Sequence, residues 1–268
     1  MNGLAEAVCS AMGWADGSSL RARLDRVVPE VSKALGVPAA RWSSDPRFLE
    51  LVAERCTVPE TYFFRHQEQL ARACAEVVRS FGEAPLKVWS AACATGEEAY
   101  SLSMQLVAAG AQAERFTVLG TDVSETSLAR ARDARYPEWS FRGVPLEVRR
   151  RNFVRAAPGR FSVAARFVAP VRFAHHNLLA PAPVTGVHLI SCRNVLIYLR
   201  PEAADAVLRQ LVSALAPEGL LLIGAAEQRL AVNLGLEALE GDGGLLRKSA
   251  PGRPMPQAAA RALSLIHI

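Results

Sequence analysis

Short apolar runs alternate with helical stretches from about residue 86 onward, and this alternation limits the possible folds more than any other feature of the chain. The apolar runs are LKVWSA, FTVLGT, GVHLIS and GLLLIGA, and helical patterns follow the first three at 97–109, 124–133 and 201–215. Such an order is typical of a parallel sheet with helices on both faces. We therefore predict an α/β fold built on a doubly wound, Rossmann-like sheet.

The segments around this core have patterns of their own. In LRARLDRVVPEVSKAL the apolar residues recur at steps of three and four, and RFLELVAERC resumes that helical pattern after a break at SSDP. We predict a helical N-terminal domain and linker at 1–75 and a sheet domain at 76–248. A small β insertion is expected at about 142–172, a hairpin around GDGG, and a mobile tail at 249–268.

Composition excludes some classes of protein. Half of the 268 residues are hydrophobic, which is enough for a full core. The longest apolar runs are shorter than the roughly 18 residues of a membrane span, and no signal-peptide pattern is visible. The five cysteines show no metal-ligand spacing. We expect a cytoplasmic, monomeric protein with reduced thiols, no metal and no membrane insertion.

The positive charge is concentrated in one segment. The chain carries a net charge of +5, whereas residues 142–172 contain eight arginines and a single glutamate. A solvated arginine-rich face is one interpretation of this segment. The other is a docking surface for an acidic partner.

The stretch KVWSAACATGEEAYSL runs from a predicted strand into a predicted helix through a bend of small residues. The first strand-to-helix turn of a doubly wound sheet approaches the ligand closely, and small side chains permit that approach. Dinucleotide-type glycines are lacking, and Glu97 and Glu98 would repel a phosphate at the helix N-terminus. The pattern favours a cation such as an amino-acid ammonium group. We assign that contact to Glu97, and we assign Glu98 to a capping box with Thr95.

A second acidic residue stands at the end of the next predicted strand. VLGTD ends in Asp122, where an acidic residue commonly binds the hydroxyls of a ribose. The alternative is simple capping of the helix that begins near Ser124. A nucleoside joined to an amino acid, without phosphates, satisfies both inferences. These properties describe S-adenosylmethionine, the cofactor that we expect.

Four segments in one order, ETYFFR, VWSAACATGEEAYSL, HHNLL and CRNVLIYL, resemble those of the chemotaxis-receptor methyltransferase family (CheR). The resemblance runs from about residue 48 to residue 248. Members of that family transfer a methyl group from S-adenosylmethionine to glutamate side chains of bacterial chemoreceptors. The resemblance therefore implies a class I methyltransferase domain with a helical N-terminal domain and an inserted β-subdomain. It also implies that the partners are the cytoplasmic helices of methyl-accepting receptors.

The resemblance implies roles for single residues as well. Arg65 and Tyr198 would be the catalytic residues that position the glutamate. Residues at motif positions would bind the cofactor: Thr61, Arg65, Glu97, Asp122, Asn177, Leu178, Arg193 and Asn194. Within that set, Glu97 would hold the ammonium group, Asp122 the ribose, and the Asn-Leu pair the adenine. Arg193, Asn194 and Tyr198 would line the mouth where substrate and methyl donor meet.

Structural roles compete with these assignments. Phe63 and Phe64 are expected to be core aromatics between the two domains. Arg65 could form only an interdomain ion pair, Asn194 could only shape a turn, and Tyr198 could be a packed core residue.

Three other functions remain open. A nucleic-acid methyltransferase shares the fold, but the Asn/Asp-Pro-Pro-aromatic segment is absent, and the basic stretch shows no stacking platform of interleaved aromatic residues. A nicotinamide-dependent dehydrogenase would need phosphate-binding glycines. A non-catalytic module that binds S-adenosylmethionine for signalling is the third, and a methyl-transfer assay separates it from an enzyme. We expect no nucleic-acid partner.

Overall fold

The computed structural model describes residues 2–57, 59–82, 84–231, 234–239 and 244–249. Nine α-helices are assigned in this part of the chain: α1 (Asn2–Met12), α2 (Ser18–Leu35), α3 (Pro46–Cys56), α4 (Gln67–Phe81), α5 (Glu97–Ala108), α6 (Glu125–Asp133), α7 (Leu146–Asn152), α8 (Ala165–Val168) and α9 (Pro201–Ala214). Ten strands accompany them: β1 (Leu86–Ala91), β2 (Phe116–Asp122), β3 (Arg135–Pro137), β4 (Phe153–Ala157), β5 (Arg160–Val163), β6 (Val171–His175), β7 (Val187–Cys192), β8 (Leu215–Ile223), β9 (Leu236–Ala238) and β10 (Leu245–Lys248).

The first three helices share a hydrophobic cluster of their own. The predicted apolar stripe of α2 is buried, because its three- and four-residue steps place those side chains on one face of the helix. Gly36 ends α2 with a φ of 65°, a conformation that glycine adopts without steric cost. The Asp45 side chain caps α3 by accepting a hydrogen bond from the Phe48 N–H.

Seven strands form the central sheet in the order β6-β2-β1-β7-β8-β10-β9. The pairs among β6, β2, β1, β7 and β8 are parallel, and β10 pairs antiparallel with both β8 and β9. The predicted parallel sheet and the terminal β9–β10 hairpin are therefore confirmed. Residues 240–243, which include most of the predicted GDGG turn, and residues 250–268, which include most of the predicted tail, lie outside the described residues.

Both faces of the sheet are covered, which explains why its strands are apolar at successive positions. In β1, Val88 belongs to the core shared with α4 and α5, whereas the next residue, Trp89, belongs to the core shared with α9. In β7, Leu189 and Ile190 divide between the same two cores. Neighbouring side chains on a strand point to opposite faces, so each strand contributes to both layers.

The inserted β unit differs from its predicted limits of about 142–172. A three-stranded antiparallel sheet has the order β3-β5-β4 and so begins at Arg135 and ends at Val163. The segment Val171–His175, which lies across the predicted end of the insertion, pairs in parallel with β2 at the edge of the main sheet. The sequence pattern did not separate these strands because both sets have short apolar steps between turn residues.

The predicted boundary between residues 75 and 76 falls inside α4. This helix buries Leu70, Ala73, Cys74 and Val77 in the core that it shares with α5 and the sheet. The first 75 residues therefore belong to two structural units, although all of them have a helical pattern. Periodicity predicts a helix but does not indicate which core the helix packs against. Among the described helices, none is long and apolar enough to cross a membrane.

Candidate active site

The predicted site residues follow the carboxyl ends of neighbouring parallel strands. Residues 92–98 follow β1, Asp122 ends β2, residues 176–178 follow β6, and residues 193–198 follow β7. The strand order reverses between β1 and β7, since the chain first builds outward to β2 and later returns to the other side of β1. Ligands of doubly wound folds bind in the crevice outside the strand ends at such a reversal.

A cavity of about 350 Å³ occupies this crevice. Its walls come from residues 12–23 of the N-terminal unit, from residues 56–65 and from the loops after β1, β2, β6 and β7. The volume is within the range of roughly 300–1000 Å³ that is usual for small-molecule sites. The cavity therefore lies between the helical unit and the sheet.

The turn after β1 is tightly folded against the end of β2. Ala92, Ala94 and Gly96 all have positive φ values, of 60°, 48° and 92°. A side chain at position 96 would come within 2.7 Å of the Ala131 Cβ atom, so only glycine fits there. The Ala94 N–H donates to Asp122 Oδ2 at 2.9 Å. The small residues thus let the loop approach both the ligand space and the second acidic residue.

The two glutamates at the start of α5 have exchanged roles relative to the sequence prediction. Glu97 is 3% exposed and does not line the cavity; its carboxylate accepts hydrogen bonds from the Thr95 and Ser140 hydroxyls. Burial is the largest cause that raises the pKa of Glu97. Glu98 is the glutamate that lines the cavity. The assignment of the ligand contact to Glu97 is therefore wrong in this structure.

The predicted capping box is also absent. The N-cap of α5 is Gly96, and no side chain caps it. Glu98 instead accepts a hydrogen bond from the Ser90 hydroxyl at 2.8 Å and pairs with Arg193. Adjacent glutamates on a helix point about 100° apart, and the sequence pattern does not show which of the two directions faces the ligand space.

Arg193 lies in the buried part of the cavity wall, and it does not lie at the mouth. Its side chain is 2% exposed, and its Nε and Nη2 atoms lie 2.9 and 2.8 Å from Glu98 Oε2. Its Nη1 atom donates to the Arg65 carbonyl oxygen at 2.9 Å. Arg193 therefore links α5 to the ETYFFR segment, and the expectation that it lies at the mouth does not hold.

Asp122 is buried at the end of β2 and faces the cavity. Its Oδ1 atom accepts from the Ser124 N–H and its Oδ2 atom from the Ala94 N–H, both at 2.9 Å. Burial raises the pKa of Asp122 above its ordinary value, while these hydrogen bonds oppose the shift. Capping of α6 belongs to Ser124, whose side chain accepts from the Ser127 N–H. The simple capping role considered for Asp122 is therefore excluded.

Some side chains of the ETYFFR segment line the cavity, and others are buried in the core. Thr61 and Arg65 line the cavity, and Arg65 Nη1 donates to the Glu60 carbonyl oxygen at 3.0 Å. Phe63 is buried, with ring centroids 4.8 Å from Tyr136 and 4.6 Å from Phe153. The expectation of core aromatics is confirmed for Phe63, which joins this segment to the inserted sheet.

The remaining predicted residues also line the cavity. Asn177 donates to the Ala11 carbonyl oxygen in α1 at 3.1 Å, and Leu178 packs at the edge of the α9 core. Asn194 has a φ of 60°, so it both shapes the turn after β7 and contributes to the wall. Tyr198 is 52% exposed, which excludes a packed core role. Its backbone carbonyl accepts from the Ala15 N–H of the N-terminal unit at 2.9 Å.

Sequence reasoning missed the contribution of the N-terminal unit. Arg23 of α2 lines the cavity, and its Nε atom is buried without a hydrogen-bond partner in the described part of the chain. Trp14 forms a bridge with Leu199, and the Arg200 N–H donates to the Gly13 carbonyl oxygen at 2.7 Å. In the sequence, the only indication that α2 reaches the cavity was Arg23 itself, which lies outside the apolar stripe of this helix.

The cavity suits a cationic amino acid joined to a nucleoside. Carboxylates of Glu98, in the first turn of α5, and Asp122, at the end of β2, face the same space, and their oxygens can accept further hydrogen bonds. An anionic pyrophosphate at the start of α5 would meet Glu98 there. Among the described residues, no group of three acidic, cysteine or histidine side chains is placed to hold a metal ion. The residues present therefore fit S-adenosylmethionine.

The sheet order and the position of this cavity are those of a class I S-adenosylmethionine-dependent methyltransferase fold. Residues 59–241 match the family profile described as "CheR methyltransferase, SAM binding domain". The chain belongs to the CheR methyltransferase family.

Individual proteins show the same relationship. The chain is 36% identical over 206 residues to the "Probable biofilm formation methyltransferase WspC" of Pseudomonas aeruginosa, covering 74% of this chain and 49% of that protein. It is 31% identical over 224 residues to the "Chemotaxis protein methyltransferase Cher2" of Pseudomonas putida, covering 76% and 80%. A TehB-like SAM-dependent methyltransferase from Corynebacterium glutamicum superposes with a TM-score of 0.39 at 17% identity, covering 68% and 92%. The chain thus spans about half the length of the WspC protein.

Proposed function

We propose that the protein transfers a methyl group from S-adenosylmethionine to glutamate carboxylates of chemoreceptor-type proteins and forms glutamyl methyl esters. The observation that carries this proposal is one cavity whose lining brings the carboxylates of Glu98 and Asp122, at the strand ends, together with Arg65 and the exposed Tyr198. The carboxylates suit the donor, and the arginine and tyrosine suit an acidic acceptor. The name of the "Chemotaxis protein methyltransferase Cher2" supports a protein of chemotaxis as the substrate.

The cofactor would be held by residues at the strand ends. Glu98 would accept hydrogen bonds from the ammonium group, and Asp122 from the ribose hydroxyls. Asn177 and Leu178 would border the adenine, and Thr61 would contact the donor from the ETYFFR segment. When bound, S-adenosylmethionine supplies an electrophilic methyl group carried by a positively charged sulfur. Arg193 would keep Glu98 in place through its buried ion pair.

On the acceptor side, the chain needs to orient a group that is already reactive. A carboxylate is ionised and nucleophilic at neutral pH, so no strong general base is required. Arg65 and Tyr198 would hold the glutamate by hydrogen bonds, and Arg23 would add positive potential from α2. Charge is lost as the ester forms, so strong neutralisation of the carboxylate would slow the reaction. These side chains would therefore orient the acceptor without binding it tightly.

The expected acceptor is a glutamate on a cytoplasmic receptor helix, and the protein would act there as a monomer. Four exposed arginines of the inserted unit that form no salt bridge among the described residues, Arg150, Arg151, Arg155 and Arg160, would attract such acidic helices. A cytoplasmic location follows from the proposed substrate.

Transfer of a radiolabelled methyl group to receptor-containing membranes tests this function. Methyl esters release volatile methanol in alkali, so the label should become volatile after base treatment. Arg65→Ala should lower the transfer rate by about 10²-fold, because loss of alignment by about 1 Å has effects of that size. S-adenosylhomocysteine affinity should change little. The control is Arg209→Ala, an exposed arginine of α9 paired with Asp205.

The outcomes separate the two candidate functions. Base-labile labelling by the wild type that falls in Arg65→Ala and persists in Arg209→Ala supports the enzyme. Binding of S-adenosylhomocysteine by a wild type that never labels receptors would instead favour a non-catalytic binding module.

A further inference from the structure

Glu227 is a buried carboxylate next to the site that has no place in the roles assigned so far. It lies in the 3-10 helix Ala225–Ala231 that follows β8, and it is 0% exposed. It does not line the cavity. A fully buried carboxylate requires strong compensation, so its partners indicate what it holds in place.

Those partners are four backbone N–H groups. Glu227 Oε1 accepts from Val195 and Leu196, both at 2.8 Å. Oε2 accepts from Asn194 at 2.9 Å and from Gly224 at 2.8 Å. Three of the donors are consecutive residues of the loop after β7. Successive N–H groups that point into one concavity form a nest for an anion, and here the anion is a side chain of the same protein.

The loop needs this anion because its backbone is bent away from regular structure. Asn194 has a φ of 60°, and the N–H groups of residues 194–196 all point toward Glu227. Immediately before the nest lies Arg193, which pairs with Glu98, and shortly after it lies Tyr198. Gly224 permits the approach, since a Cβ atom there would lie 2.7 Å from Glu227 Oε2.

We propose that Glu227 is a positioning residue that fixes the 193–198 loop, so that Arg193 holds Glu98 at the cavity while Asn194 and Tyr198 face the cofactor and acceptor. The claim that this loop contacts the cofactor and the acceptor rests on the proposed function. The claim that Glu227 holds the loop in its conformation does not. Glu227 touches neither the cavity nor the reacting atoms, so it acts only through the backbone that it binds.

Glu227→Gln is the test, because it preserves size while replacing one acceptor oxygen with an amide NH₂ that faces N–H donors. Hydrogen exchange at the amides of residues 194–196 should accelerate, since these N–H groups lose a charged acceptor. The dissociation constant for S-adenosylhomocysteine should rise about tenfold or more. Glu202→Gln, an exposed carboxylate at the start of α9, should leave both quantities unchanged.

A second control separates positioning from general stability. Val207→Ala removes buried methyl groups from α9, in the core that also contains Leu196, and leaves all four hydrogen bonds of Glu227 in place. It should lower the Tm while it leaves amide exchange at 194–196 and S-adenosylhomocysteine affinity near wild type.

Faster exchange in Glu227→Gln with unchanged affinity would overturn the inference, and so would loss of affinity in Glu227→Gln and Val207→Ala in proportion to their loss of Tm. Unchanged exchange in Glu227→Gln would also overturn it. If the wild-type protein bound S-adenosylhomocysteine but transferred no methyl group, the proposed function would be contradicted. The positioning role of Glu227 would still be supported by the exchange and affinity measurements.

Discussion

At the scale of single residues, the two adjacent glutamates of α5 show how far sequence reasoning reaches. The acidic start of the helix correctly indicated a site without phosphate chemistry. It could not assign the contact, because Glu97 turns toward Ser140 of the inserted unit and Glu98 turns toward the cavity. That choice depends on the packing of α5, which involves residues distant in sequence.

The pair provides a matched experiment. Glu98→Gln should raise the dissociation constant of S-adenosylhomocysteine about tenfold or more, because a charged hydrogen-bond acceptor for the ammonium group is lost and Arg193 loses its anionic partner. Glu97→Gln should leave the affinity near wild type, since its partners are two hydroxyl groups outside the cavity. Calorimetry on both variants measures the difference. The reverse ranking would contradict the assignment.

The raised pKa of Asp122 predicts a pH dependence of binding. The ionised carboxylate is the better acceptor for ribose hydroxyls, and its proton returns at a pH above the ordinary range for aspartate. S-adenosylhomocysteine affinity should therefore weaken as the pH falls from neutrality through the raised pKa. Asp122→Asn should bind more weakly at neutral pH and show a flatter pH profile. Equal pH profiles for the two proteins would remove Asp122 from this role.

Protonation of Asp122 does not itself destabilise the folded protein as the pH falls. A carboxyl group with a raised pKa binds its proton more tightly in the folded protein than in the unfolded chain. Its contribution to the free energy of unfolding is therefore largest at low pH and is lost as the pH rises through the folded-state pKa. This sign holds for Asp122 and for Glu97. Circular dichroism at each pH checks that the fold persists.

At the scale of elements, the central strands were predictable because their apolar character is continuous. Helices on both faces leave no polar side for β1 or β7, so the sequence marks them clearly. The inserted sheet was less predictable, since β3 has three residues and pairs with β5, which lies more than twenty residues further along the chain. Pairing of that kind depends on tertiary contacts that local patterns do not contain.

The connection between α1 and α2 was missed for a similar reason, and Gly13 tests its importance. Gly13 has a φ of 67°, and a Cβ atom there would lie 2.8 Å from the Ala203 Cβ atom of α9. Gly13→Ala should lower the Tm by more than the roughly 2–4 °C that 1 kcal/mol of backbone strain produces in a protein of this size. S-adenosylhomocysteine affinity should also fall, because Met12 and residues 14–17, on either side of this glycine, line the cavity.

Gly36 provides the control for that substitution. Its φ of 65° matches that of Gly13, and nothing lies within 4 Å of a Cβ atom at that position. Gly36→Ala should therefore show only the cost of backbone strain and should bind S-adenosylhomocysteine like the wild type. If the two variants behaved alike, the contact between the 13–17 segment and α9 would have no role in shaping the cavity.

At the scale of the whole molecule, the structure divides the arginine-rich segment into two groups. One group is occupied locally: Arg142 lies over Tyr62 and pairs with Glu60, and Arg149 donates to the Phe141 carbonyl oxygen. Composition alone could not show this division, because a count of arginines does not distinguish internal hydrogen bonds from free charge. The second group, at 150, 151, 155 and 160, is exposed and forms no salt bridge within the described residues.

The exposed group should govern encounter with an acidic receptor helix. The double substitution Arg150→Glu and Arg151→Glu should slow receptor methylation at low salt and reduce its dependence on ionic strength, because screening acts on the attraction that these charges provide. Affinity for S-adenosylhomocysteine should not change, since neither residue lines the cavity. Initial rates of methyl transfer over a series of salt concentrations measure both effects.

Arg149→Ala is the contrasting variant, because this arginine is bonded to Glu138 and to two backbone carbonyls in the inserted unit. Its loss should lower the Tm through broken internal bonds and should leave the salt dependence of methylation close to that of the wild type. If Arg149→Ala flattened the salt dependence while the double substitution did not, attraction by exposed charge would be the wrong explanation. The partner would then have to be recognised by the shape of the inserted unit.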